Sequence, residues 1–460
     1  RPAHVCVAVP ADRVTGNVTQ TGWPGQPTFV LQFRRTGSPG TSRKRGGVGR
    51  WAGARWGGLG SGVAAATVYV AAMAEIHGTV APGFEAVQAA FENNFDTGAD
   101  VGASVAITVG GEFVVDLWGG TATFDGPDDD EGGSPGVEGD WQEDTIINVW
   151  STTKTMAALC CLMLADRGEL DLYEPIATYW PEFAAGGKEA VATRHVLSHT
   201  AGLSGWDEPL VSADLLDHDK LVGIHARQTP WWEPGTASGY HAISQGYLLG
   251  EVVTRVSGRS LGTFFADEVA GPLGADFHIG TSASCDPRVA RVIPPSTGIG
   301  GDDVAPDSIA ARTLGNPALG AEFSWRKDWR RAEVPAAGGH GNARSVALCH
   351  TPTACGGTAR GVTVLSEDGV ARIFDKQIEG PDLILPLELV MGMGFGLPGP
   401  MLPVPNPRTA FWGGWGGSLA IIDVDAGMSF SYVMNKMGEG TTGDLRGAGL
   451  LLAAYGALAA

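Results

Sequence analysis

Apolar residues follow a helical period in two long segments of the chain. They recur every three or four positions at 83–95 and again at 152–167, where Gly168 follows the last turn. This spacing puts the apolar side chains on one face of a helix, and a glycine after such a stripe is typical of a helix end. The pattern predicts a helix at both places, and a further helix is predicted at 444–458.

Alternating apolar and polar residues predict two hairpins, one near each end of the chain. The first runs through 101–109 and 113–118 around a Gly-Gly turn, and the second through 418–423 and 428–434. Alternation is the period of a strand, and short glycine-containing turns join antiparallel neighbours. Hairpins at both ends with helices between them predict an α/β fold of the α+β kind. Its antiparallel sheet would be built from both chain ends and flanked by helices.

The predicted elements divide the chain into three parts. Residues 73–168 and 331–460 are expected to form one α/β domain. Residues 169–330 contain helical fragments interrupted by proline and glycine, and they are expected to form a mostly helical inserted domain. Residues 1–72 belong to neither.

Charge is spread unevenly along the 460 residues. The whole chain carries −19, but residues 1–72 hold nine basic residues and one acid, and the remainder carries −27. An acidic body repels phosphate backbones, so nucleic acid is not an expected partner. Apolar residues make up 43% of the chain, which is enough for a sizeable core. No apolar run reaches the ~18 residues of a membrane-spanning helix.

The basic extension at 1–72 shows no sustained period, so it is predicted to be disordered or foreign to the folded protein. Three interpretations stay open: a basic arm for nucleic acid or membranes, an export signal, or translated sequence upstream of a natural start at Met73. The export signal would use the basic residues at 43–45 and the A-x-A form at 72–74. The upstream-sequence interpretation is preferred and predicts a cytoplasmic protein, whereas a signal would make it an exported one.

Two serines stand in motifs typical of hydrolytic nucleophiles. Ser134 lies in G-x-S-x-G at 132–136, but within an acidic loop, and Pro135 has no N–H to offer an oxyanion. Ser151 opens a predicted helix in the form S-x-x-K, with Lys154 three residues later. Such residues share a helix face, so the amine can reach the hydroxyl, and burial would lower the pKa of the lysine. The alternative is a capping serine beside an exposed lysine.

Two later segments narrow the choice. Tyr240 lies in a loop, P-G-T-A-S-G-Y-H-A, that runs into an apolar helix, and F-W-G-G-W-G-G-S occupies 411–418. Together with S-x-x-K, in this order and spacing, they resemble the three motif regions of the serine β-lactamase and penicillin-binding protein superfamily. The closer resemblance is to class C β-lactamases and, above all, to family VIII carboxylesterases, and it covers about 76–440. It implies a β-lactamase/transpeptidase-like fold. Supporting segments that look like the family are 197–203, 272–275 and 341–344.

The resemblance implies a role for each of three side chains. Ser151 matches the nucleophile that becomes acylated, and Lys154 matches the lysine that helps to remove its proton. Tyr240 matches the tyrosine that shuttles a proton between nucleophile, leaving group and water. Chemistry of this kind implies no metal and no organic cofactor.

The glycine-rich segment at 411–418 is expected to border the substrate. Trp412, Gly413 and Gly414 stand where lactamases have K-T-G, in a W-G-G form seen among family VIII esterases. The resemblance implies an oxyanion hole made by the backbone N–H groups of Ser151 and Trp415.

Two positions depart from the lactamase pattern. Ala242 stands where the Y-x-N motif needs asparagine, and Trp412 stands where K-T-G has its lysine. Both changes remove polar groups that would engage an anionic β-lactam carboxylate, and the tryptophan adds an aromatic wall. The sequence therefore favours neutral esters.

Three histidines lie near these motifs. His241 follows Tyr240, and His340 lies in a glycine-rich loop, so both are candidates for the substrate-binding region. His199 would suggest a Ser-His-Asp triad, but lysine and tyrosine already fill the base roles, so a structural hydrogen bond is preferred. Residues 345–357 match the family poorly, and their Cys and His residues lack the second ligand pair that zinc would need.

These observations predict a carboxylesterase, a serine hydrolase that cleaves short to medium acyl esters. A small-molecule ester is the one partner implied. A class C-type β-lactamase or D-amino-acid peptidase on the same fold is an alternative, and so is a penicillin-binding module without turnover. The natural ester and the oligomeric state do not follow from the sequence.

Overall fold

The structure is a computed structural model. It describes residues 74–126, 133–299 and 305–460, together with three strands nearer the start of the chain. The chain divides into two compact units, Arg1–Val70 and Ala71–Ala460.

The first unit contains a small antiparallel sheet. Its strands, in spatial order, are β1 Cys6–Ala8, β2 Val14–Thr21 and β3 Thr28–Arg35. The sequence of residues 1–72 shows no sustained period, and the prediction that this extension is disordered or foreign to the folded protein stays a prediction. Residues 43–45 and Met73 lie outside the described residues, so the origin of the extension and the export signal stay predictions.

The second unit is built from both strands and helices. Its strands are β4 Ile76–Val80, β5 Gly102–Val109, β6 Glu112–Phe124, β7 Val137–Asp140, β8 Ile146–Asn148, β9 His278–Ile279, β10 Val289–Ala290, β11 Gly339–Gly341, β12 Thr358–Ala359, β13 Val362–Thr363, β14 Ile378–Pro381, β15 Glu388–Met391, β16 Thr409–Gly413, β17 Leu419–Asp423 and β18 Met428–Met434. Its α-helices are α1 Glu85–Asp96, α2 Thr153–Asp166, α3 Thr193–Leu197, α4 His218–Arg227, α5 Ser244–Ser257, α6 Leu261–Phe265, α7 Gly271–Leu273, α8 Ile309–Gly315, α9 Lys327–Arg331, α10 Ala343–Ala354, α11 Glu367–Arg372 and α12 Leu445–Leu458. Within the described residues, no helix combines the length and the apolar character needed to span a membrane.

A large antiparallel sheet forms the centre of the second unit. Its strand order is β16-β17-β18-β5-β6-β4, with β7 pairing on β6. The hairpins from the two chain ends meet at β5 and β18, where Ile107 lies opposite Phe430. The predicted antiparallel sheet, built from both chain ends and flanked by helices, is confirmed. The helices predicted at 83–95, 152–167 and 444–458 correspond to α1, α2 and α12.

Helices cover both faces of this sheet. Ser429 of β18 donates a hydrogen bond to the carbonyl of Ala347 in α10, at 2.9 Å. Tyr432 points to the opposite face, where its hydroxyl bonds Asp100 at 2.5 Å and its ring lies against Gly447 of α12. Because successive side chains of a strand alternate between faces, β18 is buried on both sides.

Residues 345–357 form most of α10 and the turn after it, which gives this unusual segment a structural place. Thr351 Oγ1 lies 2.8 Å from Thr108 Oγ1 in β5, and His350 Nε2 lies 2.8 Å from Thr155 Oγ1 in α2. Hydroxyl and imidazole groups that bond one another are tolerated at such depth. The helix therefore packs between the sheet and α2.

A second, smaller sheet holds the start of α2. Its order is β10-β8-β11-β9, and β8 leads through Val149 into a 3-10 helix, Trp150–Thr152, directly before α2. The N–H of Val149 donates to the carbonyl of Gly339 at 2.9 Å, and the N–H of Gly339 donates to Thr153 Oγ1 at 2.9 Å. Strand β11 thus fixes the turn between β8 and α2.

The middle of the chain carries α3 to α9 and the short strands β9 and β10. Residues from Ala71 onward form one compact unit. The division into 73–168 with 331–460 and an inserted 169–330 stays a prediction.

One carboxylate, Asp125 just after β6, neutralises two buried guanidinium groups. Arg291 Nε donates to it at 2.9 Å and Arg330 Nη1 at 2.6 Å. The side chains of Arg291, Arg330 and Asp125 are 3%, 0% and 6% exposed. Breaking so deep an ion pair by removing the carboxylate is strongly destabilising, because both buried guanidinium groups lose these charge-assisted hydrogen bonds.

Asp125→Ala is therefore expected to lower the free energy of unfolding by about 3–5 kcal/mol. Urea unfolding followed by tryptophan fluorescence measures the change. Glu174→Ala removes an exposed carboxylate and should stay within about 0.5 kcal/mol of the wild type. A loss below about 1 kcal/mol in the Asp125 variant, the range of an exposed pair, would contradict this account.

Candidate active site

Ser151 lies in a strained turn before α2. The preceding residue, Trp150, has a φ of 49°, a left-handed conformation that residues other than glycine rarely adopt. Such strain persists only where the surroundings impose it, and it is common at active sites. Here Thr153 Oγ1 donates to the carbonyl of Trp150 at 2.6 Å, and Thr152 Oγ1 lies 2.9 Å from Ser418 Oγ. The surroundings therefore hold Ser151 in one position.

Lys154 is buried directly behind Ser151. Its Nζ lies 3.2 Å from Ser151 Oγ, 2.6 Å from the carbonyl oxygen of Ala242 and 3.0 Å from that of Ala336. Burial lowers the pKa of the amine well below its ordinary value. All three of these neighbours are uncharged. No carboxylate among them favours the charged ammonium form.

Tyr240 meets the same hydroxyl from the other side. Its O–H donates to Ser151 Oγ at 2.6 Å, and burial raises the pKa of the phenol to about 12. Lys154 Nζ lies 4.8 Å from the centre of the tyrosine ring. The structure thus brings together Ser151, Lys154 and Tyr240, the three side chains that the motifs single out.

The turn between β16 and β17 lies against the backbone of the nucleophile. A Cβ atom at Gly414 would lie 2.3 Å from the carbonyl oxygen of Val149 and 3.3 Å from the nitrogen of Ser151. Only glycine allows this approach. Among the turn, loop and cap hydrogen bonds between described residues, neither the N–H of Ser151 nor that of Trp415 is a donor, so the predicted oxyanion hole stays a prediction.

An apolar cluster adjoins the tyrosine. The ring centres of Tyr240 and Trp412 are 5.6 Å apart. The other buried members of the cluster are Ala242, Ile384, Leu385, Leu389 and Met391, and half-buried Trp232, Ile309, Leu314 and Leu387 pack against it. Trp412 and Gly413 belong to β16, so this sheet edge contributes to the cluster as well as to the turn.

His241 is held by backbone groups. Its Nδ1 donates to the carbonyl of Gly239 at 2.6 Å, and its Nε2 accepts the N–H of Leu203 at 3.1 Å. Burial lowers the pKa of this ring to about 3, so it is neutral. Because both nitrogens are engaged, the geometry gives no support to the predicted contact of His241 with substrate.

His199 and His340 are also buried. His199 Nδ1 accepts the N–H of His241 at 3.1 Å, and its ring lies edge-on to Tyr240, with 5.0 Å between ring centres. This is a structural hydrogen bond, and no bond from His199 to Ser151 is found among the described residues. His340 lies in β11 opposite Asn148 and is fully buried, with its Nδ1 2.9 Å from the carbonyl oxygen of Gly338, and its contact with substrate stays a prediction.

Sequence reasoning missed three parts of this arrangement. The carbonyl of Ala336 accepts from Lys154, Ser418 bonds the nucleophile turn, and Asp382 bonds the Tyr240 loop. A backbone carbonyl has no side-chain signature. Ser418 and Asp382 are common polar residues whose spacing from the motifs carries no local rule.

Comparison with known proteins shows the family to which the chain belongs. The sequence profile described as Beta-lactamase matches residues 88–455. The chain belongs to the β-lactamase family. The esterase/beta-lactamase LipL of Mycobacterium tuberculosis is 31% identical over 382 residues, which cover 79% of this chain and 83% of that protein. The resemblance inferred from the motifs is therefore confirmed.

Solved structures agree with this membership of the β-lactamase family. A family VIII carboxylesterase is 41% identical with a TM-score of 0.75, and the match covers 83% of this chain and all of that one. A penicillin-binding protein homologue from Caulobacter crescentus is 37% identical with a TM-score of 0.73, again over 83% of this chain and 100% of its own. The protein is a serine hydrolase of the β-lactamase/esterase family.

Gly414→Ala is expected to slow the reaction of Ser151 with a fluorophosphonate by at least about 100-fold, because the added methyl group displaces the β16–β17 turn. Intact-mass time courses measure the rate. Gly449→Ala on α12, where a new Cβ meets nothing within 4 Å, should react like the wild type. Unchanged labelling of the Gly414 variant would show that the turn does not need its close approach.

Proposed function

We propose that the protein is a carboxylesterase that cleaves neutral esters with short to medium acyl chains through an acyl-enzyme at Ser151. One observation carries the proposal: Lys154 Nζ and Tyr240 O–H lie 3.2 and 2.6 Å from the same Ser151 Oγ. A hydroxyl with a base on one side and an acid on the other is the arrangement that nucleophilic acyl transfer requires. The names of the esterase relatives support the same activity.

Lys154 acts as the base that activates Ser151. A neutral amine has two N–H bonds and one lone pair. When the N–H bonds go to the carbonyls of Ala242 and Ala336, the lone pair faces Ser151 Oγ. The amine takes the hydroxyl proton as Oγ attacks the ester carbonyl carbon, and the ammonium that forms is held by the two carbonyls.

The negative charge of the tetrahedral intermediate falls on the former carbonyl oxygen. The N–H groups of Ser151 and Trp415 bind this oxyanion. A backbone donor of this kind stabilises the transition state by about 2.7–4 kcal/mol.

Tyr240 supplies the proton for the leaving alcohol. Its pKa of about 12 keeps the phenol protonated at neutral pH. As the C–O bond breaks, the phenol protonates the alkoxide and is itself reprotonated by the Lys154 ammonium. In deacylation the same two groups remove a proton from water and return it to Ser151 Oγ, which restores the starting state.

The apolar cluster defines the substrate class. Trp412, Ile384 and Leu385 present aromatic and aliphatic surface beside Tyr240. Ala242 and Trp412 occupy the positions where lactamases have asparagine and lysine for a carboxylate. An uncharged acyl or alcohol group fits this surface better than an anion does.

A β-lactamase activity is the second candidate. It is favoured by the similarity to LipL, which is named an esterase/beta-lactamase and is 31% identical to this chain. The penicillin-binding protein homologue at 37% identity supports acylation of Ser151 by a β-lactam as well. Comparison of kcat/KM for p-nitrophenyl butyrate and for a chromogenic cephalosporin distinguishes the two activities.

Ser151→Ala is expected to reduce turnover of p-nitrophenyl butyrate by about 10⁶-fold, because it removes the nucleophile. Ser134→Ala, in the G-x-S-x-G segment, should retain wild-type turnover. Wild-type activity in the Ser151 variant would overturn the proposal. A higher kcat/KM for the cephalosporin would replace it with β-lactamase, and stoichiometric acylation without release would replace it with a penicillin-binding module.

The pH dependence should report the Lys154 amine. Its neutral form is the active one, so kcat/KM should fall as the pH drops through the lowered pKa and stay level above it until Tyr240 ionises near about 12. Lys154→Arg should be inactive at every pH, since a guanidinium stays protonated. The exposed Lys220→Arg should keep the wild-type profile. If the kcat/KM of Lys154→Arg still fell with decreasing pH, the titration would belong to another group.

A further inference from the structure

The carboxylate of Asp382, just after β14, bonds two segments of the active site at once. Its Oδ2 accepts the hydroxyl of Ser238 at 2.6 Å and its Oδ1 accepts the N–H of Tyr240 at 3.1 Å. The same Oδ1 accepts the N–H groups of Ile384 and Leu385, each at 2.9 Å. One side chain therefore holds both the tyrosine loop and the segment after itself.

Other contacts join the same two segments. Ser238 and Asp382 form a parallel bridge, and the N–H of Leu383 donates to the carbonyl of Ser238 at 2.8 Å. A Cβ atom at Gly239 would lie 2.9 Å from Ile384 Cδ1, so the loop and the segment are in close contact. These contacts tie the position of the loop to that of the segment.

The two segments carry different parts of the chemistry. One places the phenol of Tyr240 on Ser151 Oγ, and the other supplies Ile384 and Leu385 to the apolar cluster. An acyl chain that presses on Ile384 or Leu385 therefore acts on the group that also fixes Tyr240. Proton transfer is sensitive to displacements well below 1 Å.

We propose that Asp382 is a positioning residue that fixes the place of Tyr240 relative to the apolar wall formed by Ile384 and Leu385. In this way Asp382 couples acyl binding to proton transfer. The inference rests on the proposed function. Asp382 touches no reacting atom and acts through the backbone of its neighbours. Burial is the main cause of the raised pKa of Tyr240, and the negative charge of Asp382 adds to it.

Three substitutions separate geometry from charge. Asp382→Asn keeps an oxygen for the three N–H groups, and its amide can donate to Ser238, so kcat for p-nitrophenyl butyrate should stay within about threefold of the wild type. Asp382→Glu keeps the negative charge but shifts the accepting carboxylate by one methylene. Asp382→Ala removes the carboxylate. Both should lower kcat by about tenfold or more. Glu379→Ala, an exposed carboxylate on β14, is the matched control and should leave kcat unchanged.

A double-mutant cycle shows whether the effect passes through Tyr240. In a Tyr240→Phe background, Asp382→Glu should cost less than about twofold further, since the group being positioned is gone. If Asp382 acted on stability alone, Asp382→Glu would lower kcat by the same factor in the Tyr240→Phe background as in the wild type. Thermal unfolding of each variant is recorded alongside, and Asp382→Glu keeps the test decisive if Asp382→Ala does not fold.

The rate of Ser151 labelling by a fluorophosphonate gives a second readout that needs no ester. A wild-type protein that is labelled but hydrolyses no ester would overturn the proposed function alone, and the Asp382 variants would still be compared by labelling. Wild-type rates for Asp382→Glu in both assays would overturn the inference alone. The inference would also be overturned if Asp382→Glu lowered kcat by the same factor with and without Tyr240→Phe.

Discussion

The burial of one lysine amine among uncharged groups is the constraint on which the arrangement around Ser151 depends. Lys154 lies on α2, of which thirteen residues, Thr153–Ala165, are buried. Desolvation lowers the pKa of its amine without a neighbouring cation. The same burial explains why its hydrogen-bond partners are two carbonyls and a hydroxyl. A carboxylate at that depth would instead favour the ammonium form.

That constraint links the site to the fold. The carbonyls that receive the Lys154 N–H bonds belong to Ala242 and Ala336, 88 and 182 residues away in the sequence. Strand β11 lies directly after Ala336 and its neighbours, and it also bonds the turn that holds Ser151. Pairing of β5 with β18 brings the β16–β17 turn to the same place. The amine of Lys154 therefore acquires these acceptors only when segments from both ends of the chain and its middle have packed.

Local patterns and the motifs could predict much of this molecule. Periodicity predicted both hairpins and the helix α2 that carries Lys154, because these depend on neighbouring residues. The acceptors at Ala336 and the contacts of Asp382 could not be predicted, since they arise from packing between distant segments. The environment of His241 was equally out of reach of the sequence. Its position beside Tyr240 predicts a substrate contact, whereas in the structure backbone groups bond both ring nitrogens, and the contact stays a prediction.

Charge completes the argument for a neutral substrate. The chain after residue 72 carries −27, so its field repels anions at a distance. Close to Ser151, the partners of the catalytic side chains are uncharged, and the adjoining wall is apolar. An uncharged ester experiences neither the long-range repulsion nor the cost of placing a carboxylate against Trp412. Long-range field and local surface therefore favour the same class of substrate, and both disfavour a ligand whose recognition depends on its carboxylate.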